Sequence, residues 1–205
     1  MDELLSPSVA IRLTPHNQGC IRPLCHRGPP GGGGPWDRRL RRGGRKRGGL
    51  APDAARTEAV DFFGELTARV ENHGTRFCFE PLGPDDTDFI NSALESLVIV
   101  RDVASPALRV QLDAKALVDN DEVNIETFQA VRPVLVHFHA NEPGLGVLGS
   151  SAKVDHAALG AMLREIGYEG YVSIEQRMLN ATDPLLDVEA SAEVLRVCYG
   201  DSETP

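Results

Sequence analysis

Hydrophobic and polar positions fall into a repeating order from about Pro52 onwards, a stripe at helical spacing followed by a short run that alternates with a period of two. Ala59, Phe63, Leu66 and Val70 predict a helix ended by Gly74. "TRFCFE" (75–80) then reads as a strand. "DFINSALESLVIVRDVA" (88–104) predicts a helix capped by Thr87 or Asp86, and "LRVQLD" (108–113) a second strand. A shorter helix is expected around 121–130, and a third strand in "PVLVHFH" (133–139). Val154, Ala158, Met162 and Ile166 mark a helix ending at Gly167, and "GYVSIE" (170–175) the fourth strand. The last helix takes Asp183 as its cap, Pro184 in its first turn, and ends near Gly200.

Strands alternating with helices imply parallel β-α-β units. In an open sheet covered on both faces, both side-chain phases of each strand are apolar. Here only one is: Phe77/Phe79, Val110/Leu112, Val134/Val136/Phe138 and Val172/Ile174. The other phase holds Cys78/Glu80, Gln111/Asp113, His137/His139 and Ser173/Glu175. One apolar and one polar face point to the wall of a barrel, whose functional groups sit at the C-terminal strand ends. The predicted fold class is therefore α/β, a parallel (β/α) barrel type with about four β/α units, a partial TIM barrel.

Composition divides the chain in two. Residues 1–50 hold 10 of the 21 Lys and Arg, three acids and half of the 20 glycines, whereas 51–205 carry 11 basic and 27 acidic residues. A basic Gly/Pro/Arg-rich head at 1–50, expected to be disordered, thus precedes a patterned body at 51–205. The arginine run of the head offers a nucleic acid a weak foothold, and a solvated tail is the simpler expectation. His16, Cys20, Cys25 and His26 match no common zinc spacing, and the four cysteines form no disulfide framework. Without a signal peptide or an apolar run of spanning length, a reduced, cytoplasmic protein with no membrane partner is expected.

Two chemistries compete in "VLVHFHANEPGLGVLG" (134–149). Gly144, Gly146 and Gly149 spell the dinucleotide fingerprint G-x-G-x-x-G, but they neither follow the strand tightly nor open a helix. The histidines carry more. His139 shares its phase with Glu80, Asp113 and Glu175, all at predicted strand ends. Three carboxylates and one imidazole suit a hard or borderline divalent ion, Mn²⁺ or Mg²⁺. His137, one layer deeper, is expected to support or pack against that group.

"FCFEPL", "TDFIN", "LRVQLDAKAL", "VHFHANEP" and "GYEGYVSIEQ" occur in an order that resembles the sugar phosphate isomerase/epimerase family, the xylose isomerase-like barrels. The resemblance covers roughly 56–199 and matches the C-terminal half of such barrels. It implies Glu80, Asp113, His139 and Glu175 as metal ligands, with Glu80 and Glu175 moving protons next to a sugar carbonyl through an enediolate. The chain departs from the family at Ala116, where a histidine is common, and in "NEPGLGVLG", which lacks the substrate-holding arginine. A full barrel needs about 250 residues and eight strands. Either two copies complete a barrel-like assembly, or the chain is a truncated form of a longer ancestor; truncation, with impaired activity, poor solubility and weakly cooperative melting, is the expectation.

The leading expectation is a metal-dependent isomerase or epimerase of a small sugar, sugar phosphate or sugar acid. A non-catalytic remnant or interaction module of the same fold is the alternative. An abasic-site endonuclease shares the barrel, but it needs more histidines than His73, His137, His139 and His156, and a basic groove where this body is acidic.

Overall fold

The computed structural model describes the backbone of residues 9–12 and residues 46–200, apart from 71, 73 and 75. The arginine run up to residue 45 and the cluster His16, Cys20, Cys25 and His26 lie outside the described residues, as do His73 and 201–205. Among the described residues five strands form one sheet: β1 (Val9–Arg12), β2 (Phe77–Phe79), β3 (Leu108–Asp113), β4 (Leu135–Ala140) and β5 (Tyr171–Ile174). They lie side by side in the order β1-β5-β4-β3-β2. β2 to β5 are parallel, as expected of consecutive β/α units. β1 is an addition to the predicted set: it runs antiparallel along β5, with Val9 opposite Ile174 and Arg12 opposite Tyr171.

Among the same residues six α-helices accompany the strands: α1 (Pro52–Val70), α2 (Ala93–Val103), α3 (Ala114–Asp119), α4 (Ile125–Val131), α5 (His156–Glu165) and α6 (Pro184–Tyr199). They bury the apolar strand phase. Phe79, Val110, Leu112, Phe138, Val172 and Ile174 are all buried in one core with Phe128, Leu159, Leu163 and Tyr199. Phe138 stands between Phe128 and Tyr199, with ring centroids 6.3 and 5.7 Å away. Each such side chain contributes roughly 1.5–3 kcal/mol by leaving water. Among the described residues no helix is long and apolar enough to cross a membrane.

Several elements differ from the sequence expectation, each for a local reason. α2 is capped by Ser92 rather than by Thr87 or Asp86. Ser92 and Glu95 form a capping box, in which the Ser92 hydroxyl accepts from Glu95 N at 3.0 Å and the Glu95 carboxylate accepts from Ser92 N at 3.1 Å. The apolar Phe89 and Ile90 before it are buried loop residues, and Ile90 is left-handed at φ 60°. α3 was not foreseen, because Asp113 both ends β3 and caps the helix through Ala116 N at 2.8 Å. α4 begins after Asn124, which accepts from Thr127 N. In β4 a one-residue shift of register leaves Val136 outside the pairing with β3, between Leu135 opposite Val110 and His137 opposite Gln111. Leu135 therefore takes the buried position expected of Val134 and Val136, both of which are half-buried.

The buried face of α5 is also turned, with His156, Leu159, Gly160 and Leu163 inside where Ala158 and Met162 were expected. Gly160 lets α5 approach α6, since a Cβ there would lie 1.9 Å from the Cys198 carbonyl oxygen. Gly160→Ala must push the helices apart and is expected to cost about 1–3 kcal/mol, measured as a shift in the urea midpoint at unchanged slope. In "GYEGY" (167–171) Tyr168 folds back to donate to the Tyr171 carbonyl at 2.9 Å, and a Cβ on Gly170 would sit 2.3 Å from that hydroxyl.

Candidate metal centre

The parallel strands deliver their polar ends to one rim. Glu80 follows β2 directly, Asp113 closes β3, His139 is the last but one residue of β4, and Glu175 follows β5. The register explains the meeting: Asp113 pairs with His139, and His139 with Ser173, so groups at these positions share a level across the sheet. Ligand atoms of Glu80, Asp113 and His139 all lie within 4.8 Å of one another. Glu175 stands beside this trio, its Oε2 3.5 Å from His139 Nδ1, which is 3.0 Å from Glu80 Oε1. Gln111, one step down β3, donates to Glu80 Oε1 at 2.7 Å.

The electrostatics are those of acids crowded out of water. Burial, followed by the nearby Glu80 charge, raises the Asp113 carboxyl to about 7. Burial would lower the His139 imidazole, but hydrogen bonds and charge from Glu175 and Glu80 outweigh it and lift the group to about 10. Glu175 is held below the usual carboxylate range, first by its hydrogen bond to His139. His137 stacks edge-on against His139, with centroids 5.1 Å apart, and burial together with the His139 charge depresses it to about 4. It packs against the cluster, as its phase predicted. The Lys115 ammonium is engaged by Asp119 at 2.6 Å and Asp86 at 3.1 Å, and Ala116 contributes its backbone N–H to Asp113.

Two buried residues after β4 had no expected role: Asn141, which ties this rim together, and Glu142 behind it. Asn141, 2 % exposed, donates through Nδ2 to Asp113 Oδ2 at 2.5 Å and to Glu175 Oε2 at 3.0 Å. Glu142, fully buried, points the other way and holds the loop after β4. It accepts from Gly149 N at 2.7 Å and from the Ser151 hydroxyl. Its Oε1 also accepts from His156 Nε2 at 3.1 Å, which leaves His156 Nδ1 to accept from the Tyr199 hydroxyl at 2.7 Å. Burial lowers the His156 imidazole despite Glu142, so a neutral ring is the form this network holds. The only advance signal was the motif H-x-N-E itself. The glycines of the nucleotide-like string lie in this loop, ahead of α5, which Asp155 caps through Ala158 N.

A parallel sheet with helices on its apolar face and a carboxylate–imidazole cluster at the strand C-terminal ends defines part of a β/α barrel. The chain belongs to the xylose isomerase-like TIM barrel family, whose sequence pattern matches residues 37–198. It is 29% identical over 102 residues to the D-psicose 3-epimerase of Agrobacterium fabrum, a match spanning 50% of this chain and 35% of that protein. Its fold is similar to that of D-psicose 3-epimerase from Clostridium cellulolyticum H10, crystallised with D-tagatose (TM-score 0.67, 22% identity, 74% of this chain and 59% of that one). It is likewise similar to 3-keto-D-glucoside 4-epimerase, YcjR, from E. coli (TM-score 0.65, 25% identity, 73% and 56%). The chain therefore spans about a third of the curated relative and under two thirds of these solved structures.

Proposed function

We propose that this protein is a divalent-metal-dependent isomerase or epimerase of a small sugar, sugar phosphate or sugar acid. In this reading Glu80, Asp113, His139 and Glu175 hold the ion, Mn²⁺ or Mg²⁺, and Glu80 and Glu175 move the protons. The observation that carries it is the convergence of Glu80, Asp113 and His139 within 4.8 Å, with Glu175 beside the same imidazole. The donor set fits a hard or borderline cation, and the raised Asp113 carboxyl marks a place where positive charge is wanted. When bound, the ion supplies a Lewis acid that polarises the substrate carbonyl.

The chain's own groups do the proton chemistry. Glu175, kept ionised by His139, suits the task of accepting the proton on the carbon next to the carbonyl. Glu80, which reaches the same His139 Nδ1 from the end of β2, suits the return of a proton to the opposite face. Asn141 and Gln111 hold the carboxylates in place, and the apolar layer beneath the sheet keeps water from the back of the site. The same reading divides the chain into a basic head at 1–50, of which Val9–Arg12 pairs with β5, and a body at 51–205, places the protein in the cytoplasm, and gives it a small sugar as its partner.

Titration calorimetry with Mn²⁺ tests the site. The wild type is expected to show one binding event, weakened by about tenfold or more in Glu175→Ala. Equal isotherms would remove Glu175 from the site. No binding to the wild type would favour a non-catalytic module of the same fold. A screen of common ketoses with Mn²⁺ then addresses turnover.

A further inference from the structure

We propose that Asn141 is a positioning residue whose carboxamide binds Asp113 to Glu175 and gathers the two carboxylates before any cation arrives. The inference rests on the reading of this rim as a cation site and adds a residue to it. Carboxylate oxygens only accept, so both Nδ2 hydrogens of Asn141 are committed, one to Asp113 Oδ2 at 2.5 Å and one to Glu175 Oε2 at 3.0 Å. The Oδ1 accepts from the backbone N–H of Lys115 at 2.9 Å, in the first turn of α3. That donor fixes which end of the amide is oxygen, because a flipped side chain would set N–H against N–H and carbonyl against carboxylate.

The position suits the task in charge and in rigidity. Two carboxylates brought together repel, and a neutral double donor between them offsets part of the repulsion without adding a third charge. Asn141 is held from behind as well, since the next residue, Glu142, is locked by Gly149 N and His156. Glu175 needs such a tie. Its side chain is 39% exposed, against 20% for His139 and 26% for Glu80, and it lies beyond the last residue of β5. Without the amide, its carboxylate is left to the attraction of His139, whose Nδ1 is 3.5 Å away.

A double-mutant cycle read by Mn²⁺ calorimetry on the full chain decides the matter. Asn141→Ala is expected to weaken Mn²⁺ binding by about 10–100-fold, the usual loss when a hydrogen-bonded neighbour of a ligand is removed. In the Glu175→Ala background the same substitution is expected to cost at least about fivefold less, because part of what Asn141 positions is already gone. Equal losses in the two backgrounds would make Asn141 a structural residue only and overturn the proposal, as would an Asn141→Ala affinity within about threefold of wild type. If circular dichroism shows that Asn141→Ala does not fold, Asn141→Ser takes its place in the cycle, and the same two results support or overturn the proposal. A wild type that binds no Mn²⁺ removes the cation site itself, an outcome distinct from a wild type that binds and a variant that binds as well.

Discussion

Asp113→Asn is expected to lower Mn²⁺ affinity by more than about 100-fold, beyond the 10–100-fold typical of changes next to a ligand. Asp113 is 4 % exposed and belongs to the trio whose ligand atoms lie within 4.8 Å, so the loss removes a charge where no solvent ion can replace it. The substitution also carries a pH signature in the metal-free protein. The folded carboxyl lies at about 7 against an ordinary 3.8, so the folded state favours the protonated acid. The stability this gives is fully present below pH 3.8 and is lost as the pH climbs to about 7. Asparagine does not titrate. The midpoint of the variant relative to wild type should therefore rise between pH 4 and 7, even though one of the two hydrogen bonds to Ala116 N and Asn141 is weakened. A difference in melting midpoint that stays flat across this range would show that burial and Glu80 do not act on Asp113 as described.

Glu142→Ala should be the most damaging single change outside the rim, at about 3 kcal/mol or more, because several donors lose their acceptor together at roughly 1–3 kcal/mol each. The carboxylate is fully buried and serves Gly149 N, the Ser151 hydroxyl and His156, and His156 in turn serves the Tyr199 hydroxyl. Alanine leaves these donors facing a cavity at the junction of the loop after β4, α5 and α6. Against a typical total of about 5–15 kcal/mol, the loss brings the protein near its folding limit. Urea denaturation followed by circular dichroism measures it. A loss under about 1 kcal/mol would mean that water or a rearranged loop takes the carboxylate's place.

Much of the rim could be read from the chain, because parallel strands obey a rule visible in one dimension. Side chains two apart share a face, so Gln111/Asp113, His137/His139 and Ser173/Glu175 sorted themselves from Leu112, Phe138 and Ile174 without coordinates. What escaped needed a second segment to define it. The slip at Val136 exists only as a relation between β3 and β4, and no local pattern distinguishes Val136 from a paired residue. α3 escaped because a single residue, Asp113, serves strand, cap and cluster at once. Phe89 and Ile90 extended the apolar stripe of α2 backwards, although they are buried by a loop. β1 depends on pairing with Tyr171–Ile174, far along the chain, and sits in a segment whose composition argued for no element at all. Asn141 and Glu142 stood in plain view in the H-x-N-E string, but an uncharged amide shows its importance only when the groups on either side of it are known.

The reversed direction of β1 has a consequence for ring closure. A closed cylinder of parallel strands requires the outer flank of β5 for a neighbour running the same way. Val9–Arg12 already occupies that flank and runs the opposite way. Completing the cylinder, whether with a second copy or with any other parallel strand, is thus an exchange reaction in which four residues must leave before the newcomer can dock.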